Sequence, residues 1–362
     1  MPASVRWRNL GTAAGAATAV LFAAFDLYQW ALAYKGDRFH NDFTFYVAAA
    51  HIGLARGWGS IYDLALQQAQ LDAMGSRITI AELARYISPP PVAWLAVPFT
   101  ALPYEVGYWV WSALLLIALA LTWYLAAPGR GRERLIYLAA ALGWLPVIYA
   151  LQLGQPGLFV ALGIAGSYAL LRSGRPFGAG LALGALALKP QLAFLVPAAL
   201  LLTGKSRAFW GSVIALGVLA GVSALTLGTS GVAEYIARLN FAASVPVNRE
   251  MTLAPLLGNL AVTRAVQVTI ALWALVLVYR FRRRATEWVF IAPLVGGLLA
   301  SPYLHLDDLV MLGLAGWLYL RTDHKPRWAW VFPKRRTPDR GPFDFRPGGR
   351  PPCRSTAACF RA

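Results

Sequence analysis

PVAWLAVPFTALPYEVGYWVWSALLLIALALTWYLAAPGRGRER, residues 91–134, joins an apolar run longer than the ~20 residues that a membrane-crossing helix needs to an abrupt cluster of arginines. The alternation recurs along the chain. Apolar stretches lie near 10–34, 91–126, 135–151, 156–172, 176–188, 190–203, 208–228, 262–279, 286–301 and 305–320, which predicts an all-α polytopic membrane protein with about ten spans. The two stretches that meet at Lys189-Pro190 are short, and the break suits tilted or re-entrant helices.

Composition agrees with that fold class. Apolar residues make up 58% of the 362 residues and charged residues 14%, with a mean hydropathy of +0.53. The formal charge of +17 does not signal nucleic acid, because Lys and Arg fall in short clusters between apolar runs and in the C-terminal segment. The cysteines, Cys353 and Cys359, both lie in that segment and support neither a disulfide framework nor a cysteine metal site. The first apolar run lacks a small-residue cleavage site after a short core and reads as an uncleaved span.

The arginine clusters set an orientation, since Lys and Arg are retained on the cytoplasmic side. Arg6 and Arg8, the Arg130-Arg132-Arg134 group, Arg172 and Arg175, Lys205 and Arg207, the RFRRR run (280–284) and the segment after Arg321 all fall inside if both termini are cytoplasmic. The 35–90 loop, LQLGQPG (151–157), ALKPQ (187–191), the 229–255 loop and SPYLHLDD (301–308) then share the outer face. The expected division is a transmembrane domain over 1–321 and a basic, Pro- and Arg-rich cytoplasmic tail over 322–362 with no sustained period, expected to be disordered. For location, the pattern predicts a bacterial inner membrane.

The outer loop contains HNDFTFYVAAAHIGLARGWGSIYD (40–63). Its Asp42 has two readings: the N-cap of an interfacial helix carrying Phe43, Tyr46, Val47, Ala50 and Leu54, or a carboxylate at a water boundary that takes a proton from a substrate hydroxyl. Trp58 and Tyr62 suit the membrane interface as well.

Six segments in order resemble glycosyltransferase family 87, the polyprenol-phosphate-mannose-dependent mannosyltransferase-like proteins: DFTFYxAA (42–49), GxxxxY (57–62), YISPPPxAxL (86–95), LQLGQPGLFVAL (151–162), the Gly-rich run ending in ALKPQ (187–191), and SPYLHLDDLVML (301–312). The resemblance covers most of residues 15–320. It implies a GT-C-type bundle with interfacial helices in its first outer loop and an acidic catalytic residue there, which maps onto Asp42.

The remaining candidates are read beside that resemblance. Lys189 ends an apolar run at a helix-breaking proline, where a cation either snorkels to water or meets an anion; a lipid-linked phosphate is the expected anion. Tyr303 and His305 are expected to help hold the same phosphate. Gln152, Gln155, Asp307, Asp308 and Arg249 are expected to bind substrate, although helix-end hydrogen bonds, a buried polar network or a solvated loop explain each of them as well. No metal and no cofactor is expected: one His and two carboxylates lack a further ligand set, and neither a DxD motif nor a nucleotide-binding glycine loop is present.

These readings predict an inverting hexosyltransferase that moves a sugar, mannose by the family's pattern, from a polyprenyl-phosphate donor to a glycan or glycolipid hydroxyl on the outer side. Membrane lipids are expected partners and nucleic acid is not. The rival is a lipid-linked sugar or solute transporter, against which stand the placement of the polar groups at one mouth and the absence of visible inverted halves.

Overall fold

In the computed structural model, which describes residues 3–81, 84–283 and 285–322, every regular element is a helix. Among these residues four helices are long and apolar enough to cross a membrane: Ala13–Gly36, Tyr104–Ala126, Ser206–Ser244 and Leu260–Phe281. A fifth arises if the pair Glu133–Leu142 and Leu145–Leu153, bent by 59° at its break, counts as one span. The expected ten is therefore not reached by length. Several apolar stretches fold instead into helices too short to cross alone, such as Gly157–Arg172, Trp288–Ala300 and Leu195–Leu202. Proline is one cause, because its ring and missing N–H interrupt a helix: Pro146 restarts one after the Gly143–Trp144 break, and Pro190 starts a second 3₁₀ turn after the break at Lys189.

The Ser206–Ser244 helix is two helices in sequence. Gly228 joins them with φ 66° and ψ −177°, a conformation closed to residues with a Cβ, so the chain turns there and the second half leaves the direction of the first. The turn brings the second half against the Trp58–Ser60 turn, where a methyl on Gly231 would stand 2.9 Å from the Gly59 Cα.

The Asp42–Arg56 helix is not the amphipathic surface helix expected. Phe43 to Ala50, Ile52 and Gly53 are all buried, and of the apolar residues named for the interface only Leu54, 57% exposed, faces outward. A run of three alanines, Ala48 to Ala50, lets neighbouring elements approach on every side, and the helix becomes part of the core. Tyr62 is likewise buried, stacked between Tyr86 and Tyr235 at centroid distances of 5.5 and 4.8 Å, with its hydroxyl donating to the Ser88 carbonyl at 2.8 Å.

Four helices connect two polar ends of this core. Tyr104–Ala126, Gly157–Arg172 and Val310–Arg321 each begin beside the residues around Asp42, Gln155 and Asp308 and finish at Trp123, Arg172 and Arg321; Trp288–Ala300 runs the other way, from Glu287 to the Ser301–Tyr303 turn. Residues 323–362, including Cys353, Cys359 and the expected disordered tail, lie outside the described residues.

Candidate active site

Asp42 opens its helix without capping it. The cap is Asn41, extended at φ −157°, whose Oδ1 accepts from the Thr44 amide at 3.2 Å. Asn41 is itself fixed, its Nδ2 donating to the Arg38 carbonyl at 2.8 Å, while the Thr44 hydroxyl donates to the Phe39 carbonyl at 2.8 Å. The capping reading of Asp42 is thereby corrected: its carboxylate is the first helical side chain, unclaimed by the backbone turn, and is only partly buried.

Its partner is Gln155, whose Nε2 donates to Asp42 Oδ2. Backbone geometry delivers that amide. Gly154 closes the Leu145–Leu153 helix in the left-handed region (φ 73°), and the Gln155 amide returns to the Ala150 carbonyl at 2.8 Å, the pattern of a glycine-terminated helix. Gly154 also lies against the Asp42 helix, since a methyl there would be 2.9 Å from Phe43 Cβ, and its carbonyl accepts from Trp111 Nε1 at 2.8 Å. On the other side of the amide the Tyr46 hydroxyl stands 3.5 Å from Gln155 Oε1.

Lys189 sits between two 3₁₀ turns, held extended (φ −151°, ψ 77°) as the residue before a proline must be. The anion that meets it is a pair of carboxylates: Nζ donates to Asp307 Oδ2 and to Asp308 Oδ1, each at 2.5 Å. Asp307 and Asp308 are buried on the Leu306–Leu309 turn, and the Lys189 side chain is 12% exposed. Asp308 uses its second oxygen to accept the His305 amide at 3.0 Å, so one carboxylate fixes both the ammonium and the start of the turn. An ammonium has three donors, and two are engaged here.

His305 is oriented by a residue that the sequence did not single out. Asn248 donates its Nδ2 to the Ala242 carbonyl at 2.8 Å, which leaves Oδ1 as the acceptor 3.0 Å from His305 Nε2. A neutral His305 therefore carries its proton on Nε2 and presents Nδ1 as an acceptor. The Tyr303 and His305 rings lie 4.7 Å apart. Charge links these groups into one centre: Asp42 responds to Asp307 and Lys189, Tyr303 to Asp42, Lys189, Asp307 and Asp308, and His305 to Asp307 and Lys189. Tyr149, another residue not foreseen, stands within the field of Asp42 and Asp307.

Two foreseen residues are placed differently. Gln152 joins the framework through its backbone carbonyl, which accepts from the Tyr108 hydroxyl at 2.9 Å. Arg249 turns a guanidinium nitrogen to the Ser244 carbonyl at 3.2 Å.

The Asp42 carboxyl lies in the loop between the first two long helices, and its pKa is pushed up to about 7. Burial is the main cause and the Asp307 charge adds to it, while the Lys189 ammonium and the Gln155 hydrogen bond pull the other way. A carboxylate near 7 is suited to exchange a proton with a hydroxyl at neutral pH. Among the described residues no group of three His, Cys, Asp or Glu is disposed to hold a metal ion; the carboxylates of Asp307 and Asp308 converge on an ammonium instead.

Fold and site together define a helical membrane protein with a cluster of ionisable side chains at one end of its bundle. The sequence model of glycosyltransferase family 87 matches residues 86–302, more than half of the chain, and the chain belongs to that family. No curated protein and no solved structure matches it. The matched region contains Gln152, Gln155, Lys189 and Arg249, whereas Asp42 precedes it and Tyr303, His305, Asp307 and Asp308 follow it. Those outer residues are tied to the matched part by the Gln155–Asp42 and Lys189–Asp307/Asp308 contacts.

Proposed function

We propose that this glycosyltransferase has a GT-C-type bundle and moves a sugar, mannose as the expected one, from a polyprenyl-phosphate donor to a hydroxyl of a glycan or glycolipid, with inversion at the anomeric carbon. The observation that carries the reading is the partly exposed Asp42 carboxyl, raised to about 7 and aimed by Gln155. Asp42 takes the proton of the acceptor hydroxyl as its oxygen attacks the anomeric carbon from the face opposite the phosphate. The bond from that carbon to the phosphate oxygen breaks, its electron pair stays on the phosphate, and polyprenyl phosphate leaves. Lys189 turns its third N–H to that oxygen, and Tyr303 and His305 complete the contact from the adjacent turn. Gln152, Asp307, Asp308 and Arg249 border the substrates, the two aspartates chiefly by holding Lys189. The site faces the outside of a bacterial plasma membrane, the termini face the cytoplasm, and the tail beyond residue 321 is a separate basic segment.

Reconstitution with a sugar-labelled polyprenyl-phosphate mannose and a glycolipid extract tests the reaction. Free polyprenyl phosphate should appear in step with a labelled product; label that crosses the vesicle membrane with its donor intact would identify a carrier. Topology is tested separately. A reporter at Gly131 should read cytoplasmic and one at Gly75 external, and the reverse would remove the proposed location of the site.

The pH dependence follows from the direction of the Asp42 shift. A base must be deprotonated, so kcat/KM should rise with pH along an acid limb centred near pH 7. Gln155→Leu removes a donor that stabilises the charged form, and the limb should then move to higher pH. A limb unmoved in that variant would detach Gln155 from the base.

A further inference from the structure

The opposite end of the bundle holds a second set of charged side chains that the reaction does not use. Arg134, at the start of the Arg132–Leu142 helix, and Arg321, at the end of Val310–Arg321, converge on the last turn of Tyr104–Ala126. Arg134 Nη2 donates to the Trp123 and Tyr124 carbonyls at 2.8 and 2.6 Å, and Arg321 Nη1 lies 3.4 and 3.2 Å from the Leu125 and Ala127 carbonyls. Two guanidiniums therefore close one helix C-terminus, where the last carbonyls need donors from outside the helix and the dipole favours cations.

Capping accounts for one terminal nitrogen of each arginine. The other, Nη1 of Arg134 and Nη2 of Arg321, has no hydrogen bond among the described residues and is not buried, while both Nε atoms are buried without an acceptor. Nor does either guanidinium form an ion pair there. Nearby, Glu287 accepts the Tyr168 hydroxyl at 2.6 Å and stands 3.9 Å from Arg172. Arg321 and Arg172 both lie near the Tyr168 ring, at 5.7 and 5.8 Å. Tyr124, 41% exposed, marks the side on which the pair opens outward.

We propose that Arg134 and Arg321 form a binding site for the phosphate of an anionic phospholipid headgroup at the end of the bundle remote from Asp42. Two forks with free donors match the geometry of phosphate oxygens, and a net anion relieves the repulsion of adjacent guanidiniums. A lipid is favoured over a soluble ester because the pair sits where a membrane-spanning helix ends beside an exposed tyrosine, the level of lipid headgroups.

The test is thermal unfolding of the full chain in nanodiscs of phosphatidylglycerol or phosphatidylcholine with the same acyl chains, with glycerol 3-phosphate as the soluble arm. Phosphatidylglycerol should raise the midpoint by several degrees over phosphatidylcholine, with the increment shrinking as salt rises. The Arg134→Gln/Arg321→Gln pair keeps amide donors for the helix carbonyls and should lose the increment. Equal midpoints in the two lipids, or an increment retained by the double variant, would overturn the site. A matching rise from glycerol 3-phosphate in phosphatidylcholine discs would overturn the lipid in favour of a soluble phosphate. Native mass spectrometry of the unmodified protein reads the same question without variants: preferential retention of phosphatidylglycerol supports the site, and equal retention of both lipids removes it.

Discussion

Asp42→Asn is expected to fold and bind donor like the parent while turning over about 10²–10⁴-fold more slowly, the range for loss of a general base. The side chain keeps its shape and its contact with Gln155, but it no longer takes a proton. Local structure should survive, because the helix is capped by Asn41 and not by Asp42. The same fact makes Asp42→Ala informative, since it leaves the helix cap in place and removes the hydrogen bond with Gln155 together with the carboxyl. Stability adds a second reading with a definite sign. The folded pKa of Asp42 lies above its ordinary value, so folding of the parent becomes less favourable as pH rises from about 4 through about 7. The Asn variant lacks that dependence and should equal or exceed the parent in stability at pH 8. Parental turnover in Asp42→Asn would move the search for the base to Asp307 and Asp308.

How much of this was legible in the chain differs from residue to residue. The all-helical class was plain, because apolar runs ending in arginines admit few other folds. The number of crossings was not. Apolar length is a local property, whereas the breaks at Gly143–Trp144, Gly154 and Lys189 decide whether a run becomes one span or two short helices. The Asp42–Arg56 helix shows a related limit: its apolar spacing was read as a surface stripe, yet alanines on its other faces let it sink into the core.

The site divides in the same way. The sequence offered Lys189 an anion or a path to water, but the anions it meets come from a turn 118 and 119 residues further on, a distance at which spacing carries no information. Gln155 was visible as a polar residue at a Gly-Pro turn; that its amide would cross to a carboxylate 113 residues away was not. Asn248 was passed over for its charged neighbour Arg249, although the neutral amide, with both ends committed, is what sets the His305 ring.

Lys189→Met should be the most destabilising single change at the site, by roughly 3–5 kcal/mol, because it leaves two buried carboxylates without their ammonium. Weakened donor binding in that variant alone would be ambiguous, since a loosened turn at 306–309 would disturb Tyr303 and His305 too. The triple variant Lys189→Met/Asp307→Asn/Asp308→Asn separates the two effects. It removes the unpaired charges with the ammonium and keeps neutral groups of the same shape, so most of the lost stability should return. Donor affinity should not return: a charge-assisted hydrogen bond to the phosphate, worth about 1.5–3 kcal/mol, corresponds to a roughly ten- to hundredfold weaker complex. The acid limb of the pH profile supplies an independent sign. Lys189 lowers the Asp42 pKa and Asp307 raises it, so the single variant should move the limb to higher pH and the triple variant should bring it part of the way back. Parental donor affinity in the triple variant would show that Lys189 only braces Asp307 and Asp308, and the phosphate contact would then fall to His305 and Tyr303.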